Sequence, residues 1–120
     1  MRAGFGDFAS DPSWSPHGTK LAFREFLQTT NDDIFVMNAD GSGQTDLTND
    51  LSTDNFHPSW SPDGTKIAWD KFGTTDQVYV MNANGTSPTN VTNDPTVDDP
   101  NPAWQPIPIP VLVIAPRFTG

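Results

Sequence analysis

The chain has 120 residues, enough for one compact domain, but only 34% of them are apolar, so a self-sufficient core would be thin. Fifteen acidic and six scattered basic residues give a net charge of -9, which excludes nucleic acid as a partner because binding it needs clustered cations. There is no cysteine, which excludes disulfides and thiolate zinc sites, and the longest apolar run, residues 111–115, is too short to span a bilayer.

Two long segments of the chain occur twice. After a lead-in at residues 1–10, the segment Asp-Pro-Ser-Trp-Ser-Pro-His-Gly-Thr-Lys-Leu-Ala-Phe returns without a gap as His-Pro-Ser-Trp-Ser-Pro-Asp-Gly-Thr-Lys-Ile-Ala-Trp, and Ile-Phe-Val-Met-Asn-Ala-Asp-Gly returns as Val-Tyr-Val-Met-Asn-Ala-Asn-Gly. We therefore divide the chain into repeat 1 at 11–56, repeat 2 at 57–100, a partial third repeat at 101–106, and a proline-rich tail at 107–120 that contains a possible extra strand.

The repeat length predicts the fold. Trp14 and Trp60 are 46 positions apart and Trp60 and Trp104 are 44 apart, close to the 40 to 45 residues that four short strands of a propeller blade occupy. In repeat 2 we predict strands at 58–61, 65–70, 77–81 and 89–92, and repeat 1 follows the same plan. The predicted fold is all-β, with two complete four-stranded antiparallel β-propeller blades and the start of a third.

Glycines and aromatic residues recur at fixed places in each repeat. Gly18 and Gly64 end Ser-Pro-x-Gly turns, and Gly41 and Gly85 follow Asp or Asn, where they can supply the positive φ of a tight hairpin. Aromatic side chains at repeated positions are expected to form the core, because each blade must bury its faces against the next. This predicted core consists of Trp14, Trp60, Trp104, Phe23, Trp69, Phe35 and Tyr79.

The motifs Pro-x-Trp-Ser-Pro-Asp-Gly, Lys-Ile-Ala-Trp, Val-Tyr-Val-Met-Asn-x-x-Gly and a closing Val-Thr together resemble the TolB-like propeller repeat, a relative of the WD repeat. The resemblance covers about residues 11–106, and His17 and Gln105 depart from the repeated turn motif. It implies a bacterial propeller of typically six blades, located in the periplasm or outside the cell. Such domains serve as protein-interaction platforms or as accessory domains of peptidases.

The residues offer few candidates for catalysis or metal binding. Ser13 and Ser59 lack a Gly-x-Ser-x-Gly elbow, and His17 and His57 occupy non-equivalent positions without metal-ligand spacing, so we predict no enzyme and no cofactor. Aspartates in the inter-blade loops are candidates for Ca²⁺, although turn formation explains the same residues. The candidate calcium ligands are Asp50, Asp54, Asp94, Asp98 and Asp99.

The leading hypothesis is a non-catalytic module that binds a protein or peptide, or assembles with itself, in the cell envelope or extracellular space. One alternative is a propeller-type hydrolase or calcium-binding propeller that uses Asp54 or Asp98, and another is a purely structural subunit. A homo-oligomer, either a ring of about six blades or a filament, is expected because two blades leave two apolar flanks. The flank residues that we expect to remain partly uncovered are Phe23, Phe35, Val36, Trp69, Tyr79 and Val80.

Overall fold

The computed structural model describes residues 8–26, 31–93, 103–104 and 112–113, and all of the regular structure in them is β. Blade 1 is a four-stranded antiparallel sheet of β1 (Phe8–Trp14), β2 (Lys20–Phe26), β3 (Asp32–Asn38) and β4 (Thr45–Asp46). Blade 2 repeats this order with β5 (Asp54–Trp60), β6 (Lys66–Phe72), β7 (Asp76–Asn82) and β8 (Thr89–Asn90). The predicted all-β fold of propeller blades is confirmed. The described residues contain no helix that could cross a membrane.

Two further short strands lie beyond blade 2. They are β9 (Ala103–Trp104) and β10 (Leu112–Val113), which pair antiparallel with each other. The possible extra strand in the proline-rich tail, β10, therefore pairs with β9 of its own chain. Strand β5 begins four residues earlier than predicted, because it continues past a bulge between Phe56 and Ser59.

The turns have the geometry that their residues favour. Gly18 N donates to Ser15 O at 2.9 Å and Gly64 N donates to Ser61 O at 2.9 Å, which closes each turn, and both glycines have positive φ, at 72° and 76°. Gly41 and Gly85, which end the hairpins between the third and fourth strands, have φ of 90°. All four predicted turn glycines thus occupy backbone conformations that residues with a Cβ rarely adopt.

The main core lies between the two blades. Successive side chains of a strand point to opposite faces of its sheet, so each of β2 and β3 contributes to two clusters. Toward blade 2, blade 1 contributes Ala22, Ile34 and Val36, which pack with Trp60, Ile67, Trp69 and Met81. On its other face, Phe23, Phe35 and Met37 form a second cluster, in which the rings of Phe23 and Phe35 stack with centroids 5.8 Å apart.

The expectation of two uncovered apolar flanks is wrong for most of the residues that carried it. Phe23, Phe35, Val36 and Trp69 are at most 8% exposed, and Tyr79 and Val80 are half-buried. Val36 and Trp69 are covered because they pack in the cluster between the two blades, and Phe23 and Phe35 pack in the second cluster with Met37. The burial of these four residues removes one reason to expect assembly.

Trp14 is the exception among the repeated tryptophans. It was expected in the core but is 55% exposed, whereas Trp60 is 9% exposed. The indole Nε1–H of Trp60 donates to Ser13 O of the preceding repeat at 2.9 Å, and that of Trp104 donates to Ser59 O at 2.9 Å. Each tryptophan is thus covered by the blade before it, and no blade precedes β1 among the described residues.

Candidate functional site

An open groove lies between blades 1 and 2, at the end of the sheets that carries the turns of Gly18 and Gly64. Its volume is about 530 Å³, and we call it the inter-blade groove. Apolar side chains line its base and polar side chains its rim. The base is formed by Val36, Leu47, Trp60 and Ala83, and the rim includes His17, Lys20, Thr45, Asp63 and Asn84.

Main-chain contacts hold the base of the groove in place. Leu47 N donates to Ile34 O at 2.8 Å, which fixes Leu47 at the end of β4. Leu47 then lies against blade 2 so closely that a Cβ on Gly85 would come within 3.2 Å of Leu47 O. Gly85 is therefore required both by its positive φ and by the close approach of the inter-blade connection.

The rim of the groove carries one cation and one anion. Lys20 Nζ donates to Asn38 Oδ1 at 2.7 Å, and Asp63 Oδ1 accepts hydrogen bonds from Ser61 Oγ and Thr65 N. The hydrogen bonds from Ser61 and Thr65 hold the pKa of Asp63 below its usual value. Such a groove suits a partner that inserts a side chain into the apolar base while its main chain contacts the charged rim.

A row of alternating acidic and basic side chains links the two blades nearer the other end of the sheets. It contains Arg24, Asp11, His57 and Asp70, and we call it the charged row. Arg24 Nε lies 3.6 Å from Asp11 Oδ2, and His57 Nδ1 lies 2.7 Å from Asp70 Oδ2. Asp11 Oδ2 also lies 3.9 Å from His57 Nε2, across the blade boundary. Asp70 is 1% exposed, so its carboxylate orients the imidazole from within blade 2.

The acidic and basic positions of the charged row are exchanged between the two repeats. Asp11 and His57 occupy equivalent bulged positions before a proline, and both have positive φ, at 56° and 54°. Arg24 and Asp70 are likewise equivalent positions on the second strand of each blade. Blade 1 therefore pairs an acid on its first strand with a base on its second, and blade 2 does the opposite. This arrangement places the acid Asp11 next to the basic side chain of His57.

Arg24 has further partners in the acidic surroundings of this row. Its Nη1 lies 3.5 Å from Asp32 Oδ2, and its guanidinium lies 5.2 Å from the centroid of the Phe56 ring. Burial raises the pKa of Asp32, and Arg24 partly opposes this effect. Asp54 Oδ1 accepts a hydrogen bond from Asp32 N at 3.2 Å, which ties the start of β5 to the start of β3.

The candidate calcium ligands are engaged in different interactions. The Asp50 carboxylate accepts hydrogen bonds from Ser52 and Thr53 and lies 3.1 Å from Lys71 Nζ. Burial raises the pKa of Asp50, but the hydrogen bonds outweigh burial and lower it far below its usual value. Asp94, Asp98 and Asp99 lie outside the described residues. Within the described residues, no group of three or more His, Cys, Asp or Glu is arranged to hold a metal ion.

The remaining residues of the predicted core differ in burial. Trp69 is 1% exposed and its Nε1 donates to Asn55 Oδ1 at 2.8 Å. Tyr79 is half-buried between Trp69, at a ring distance of 5.6 Å, and Lys71 Nζ, which lies 4.8 Å from the ring centroid. Trp104 is half-buried. The residues predicted from the sequence did not include Arg24, Asp11 or Asp70, although alignment of the repeats shows their exchange of acid and base.

Comparison with known proteins identifies the family. A family model for the TolB β-propeller domain matches residues 2–114, nearly the whole chain. The chain belongs to the TolB β-propeller family. The resemblance seen in the repeats of this TolB-family chain is thereby confirmed. No curated protein matches the sequence significantly.

Two solved structures share the fold of this TolB-family chain. A putative TolB from Agrobacterium tumefaciens has a TM-score of 0.72 and 24% identity, over 98% of this chain and 42% of its own. TolB from Acinetobacter baumannii has a TM-score of 0.63 and 22% identity, over 73% of this chain and 22% of its own. The TolB-family chain thus spans less than half the length of either protein, and at these identities the likeness concerns the fold alone.

Proposed function

We propose that this chain is a non-catalytic propeller module that binds a protein or peptide partner in the inter-blade groove, in the periplasm or outside the cell. The observation that carries the proposal is the groove itself, with its apolar base between two packed blades and charged residues at its rim. Membership of the TolB family supports this location, because the resemblance implies an envelope or extracellular protein.

The chemistry of the titratable side chains supports binding over catalysis. The side chains of the charged row pair with one another within each blade and, at Asp11 and His57, across the blade boundary. Asp50 and Asp54, the described candidates for a base or a calcium ligand, accept hydrogen bonds from neighbouring loop and strand residues. The net charge of -9 favours a partner with a basic surface, because opposite charge speeds association.

Capture of proteins from a bacterial envelope extract, with matched variants, tests the proposal. Thr45→Arg places a long cation in the groove, and Thr74→Arg makes the same change in an exposed loop that does not line it. We expect a partner that the wild type and Thr74→Arg retain and that Thr45→Arg loses. Equal retention by both variants, or turnover of a substrate without a retained protein, contradicts the proposal.

A second candidate function is self-assembly, which the exposure of Trp14 favours. Trp60 and Trp104 each donate to a main-chain oxygen of the preceding repeat, and Trp14 has the same indole without that cover. A second copy of the chain that places its blade 2 against Trp14 would reproduce this contact once its own β9 gives way, because Trp104 occupies the acceptor Ser59 O within the chain. Three copies with two blades each would form a six-bladed ring, and a contact that does not close would form a filament.

Light scattering over a range of concentrations tests self-assembly. We expect a mass above that of one chain for the wild type and the mass of one chain for Trp14→Ala. The variant should keep the circular dichroism spectrum of the wild type, because Trp14 is exposed within the chain. A folded wild-type monomer at every concentration excludes this candidate and leaves the binding proposal untouched.

A further inference from the structure

An asparagine followed by a glycine lies in the hairpin turn that joins β7 and β8. Asn84 and Gly85 form the one Asn-Gly pair in the sequence, and Asn84 is exposed at the rim of the inter-blade groove. A glycine lets its main-chain nitrogen approach the preceding side chain most freely, because it has no Cβ and the widest choice of backbone angles. Asn84 is therefore the asparagine whose side-chain amide is most open to attack by the following main-chain nitrogen.

The turn holds both reacting groups, but it does so with hydrogen bonds at the surface. Asn84 Oδ1 accepts hydrogen bonds from Thr86 N at 3.1 Å and from Thr86 Oγ1 at 2.6 Å. Gly85 N donates to Asn82 O at 2.8 Å, so it must leave this acceptor before it can attack Asn84. Hydrogen bonds of an exposed turn open far more often than those of buried strands. The native turn therefore slows the attack without preventing it.

The equivalent turn of blade 1 carries an aspartate at the same position. Asp40, which is also followed by a glycine, stands where blade 2 has Asn84. Its Oδ1 accepts hydrogen bonds from Ser42 N at 2.9 Å and from Ser42 Oγ at 2.6 Å, as Asn84 Oδ1 does from Thr86. The hydrogen bonds from Ser42 lower the pKa of Asp40, so this turn favours an ionised carboxylate. An aspartate at position 84 would meet the same pair of donors.

We propose that Asn84 is a deamidation site, and that its turn holds the carboxylate product as the turn of blade 1 holds Asp40. Gly85 N attacks Cγ of Asn84, so that an N–Cγ bond forms and the Cγ–Nδ2 bond breaks. Ammonia leaves and takes up the proton that Gly85 N gives to the solvent. Water, the one co-reactant, then opens the resulting five-membered imide ring. The deamidation is independent of the binding function proposed above.

The two ways of opening the imide ring have different consequences for the hairpin. Opening at Cγ restores the main chain and leaves an aspartate. Opening at the main-chain carbonyl of residue 84 leaves an isoaspartate, which adds a methylene group to the main chain. This longer main chain disturbs the short turn that Gly85 N closes on Asn82 O. It also displaces Gly85 from Leu47 O, which lies so close that a Cβ on Gly85 would be 3.2 Å away.

Deamidation also changes the charge at the rim of the inter-blade groove. Asn84 and Asp63 both line this rim, so the product is a second carboxylate beside the same groove. It adds one negative charge to a chain whose net charge is -9. A basic partner would then associate faster with the groove, because opposite charges steer the encounter. This last consequence rests on the proposed binding function, whereas the reaction at Asn84 does not.

Incubation of the purified chain at mildly alkaline pH, with and without urea, tests the reaction. Proteolytic digestion and mass spectrometry locate the mass increase that accompanies replacement of the amide by a hydroxyl group. We expect Asn84 to change before every other asparagine, and about tenfold or more slowly in the folded chain than in urea. Asn38 and Asn82, which are followed by alanine, are internal controls. An earlier change at another asparagine, an unchanged Asn84, or equal rates in the two states overturns the proposal.

Two matched variants test whether the turn controls the rate. Thr86→Ala removes the hydroxyl that donates to Asn84, and Ser42→Ala removes the equivalent hydroxyl that donates to Asp40 in blade 1. We expect Thr86→Ala to speed deamidation of Asn84 in the folded chain about threefold or more, and Ser42→Ala to leave the rate unchanged. The same rate in both variants contradicts control by the turn.

Asn84→Asp tests whether the turn accepts the product. Because Asp40 is held by equivalent donors, we expect the urea midpoint of this variant to stay within about 0.3 M of the wild type. Chains that carry isoaspartate after incubation should have a lower midpoint than Asn84→Asp. A large loss of stability in Asn84→Asp contradicts the proposal that the turn holds the carboxylate.

Discussion

The two blades are built from nearly the same residues, yet their tryptophans have opposite environments. Trp14 is 55% exposed and Trp60 is 9% exposed, although each occupies the last position of the first strand in its blade. The difference arises because the tryptophan packs against the preceding blade and donates to its main chain. The repeated tryptophan thus stabilises the junction between blades, and its contribution depends on whether a preceding blade is present.

The largest expected effect comes from removing one tryptophan at a time. Trp60→Ala should lower the free energy of unfolding by about 3 to 5 kcal/mol, because it leaves a cavity between the blades and an unpaired Ser13 carbonyl. Trp14→Ala should change it by less than about 1 kcal/mol, because the side chain is exposed. Urea denaturation of both variants measures the difference, and similar midpoints contradict the assignment of Trp60 to the junction.

A second contrast concerns a buried polar pair that only blade 2 has. Trp69 Nε1 donates to Asn55 Oδ1, whereas blade 1 has Phe23 and Ala9 at the same positions. Asn55→Ala should cost about 1 to 3 kcal/mol, because it leaves the indole N–H of Trp69 buried without an acceptor. The double variant with Trp69→Phe should cost less than the sum of the two single changes, because it removes both partners together. Additive costs in this double-mutant cycle refute the coupling.

The smallest expected effect distinguishes the two Ser-Pro-x-Gly turns. Asp63 accepts hydrogen bonds from Ser61 and Thr65, and blade 1 has His17 at this position between the equivalent Ser15 and Thr19. His17→Asp should raise the melting temperature slightly at pH 7. The pKa of the new carboxylate should be lowered as that of Asp63 is, so the gain exists above about pH 4 and is lost as the pH falls below it. His17→Asn, a neutral acceptor, should give a gain that does not depend on pH.

Much of the fold could be predicted because the information for it is local. A Ser-Pro-x-Gly turn and alternating apolar residues act within a few positions of each other, and their repetition at a fixed distance marks each blade. The candidate site was less accessible to such reasoning. The sequence indicated aspartates in the inter-blade loops as candidate calcium ligands. Asp50 instead interacts with Lys71 of β6, and no spacing in the sequence reveals this contact.

By itself, the sequence determined the repeat, the four-stranded blades, the turn glycines and the family, because all of these depend on residues close together or on the recurrence of a motif. Only the tertiary structure decided which repeated side chains are buried and that Asp11 lies next to His57 across the blade boundary. Equivalent residues of the two repeats differ in burial and in their charged neighbours, because burial and electrostatic energies depend on what lies across the blade boundary. Position within the repeat does not specify that neighbour.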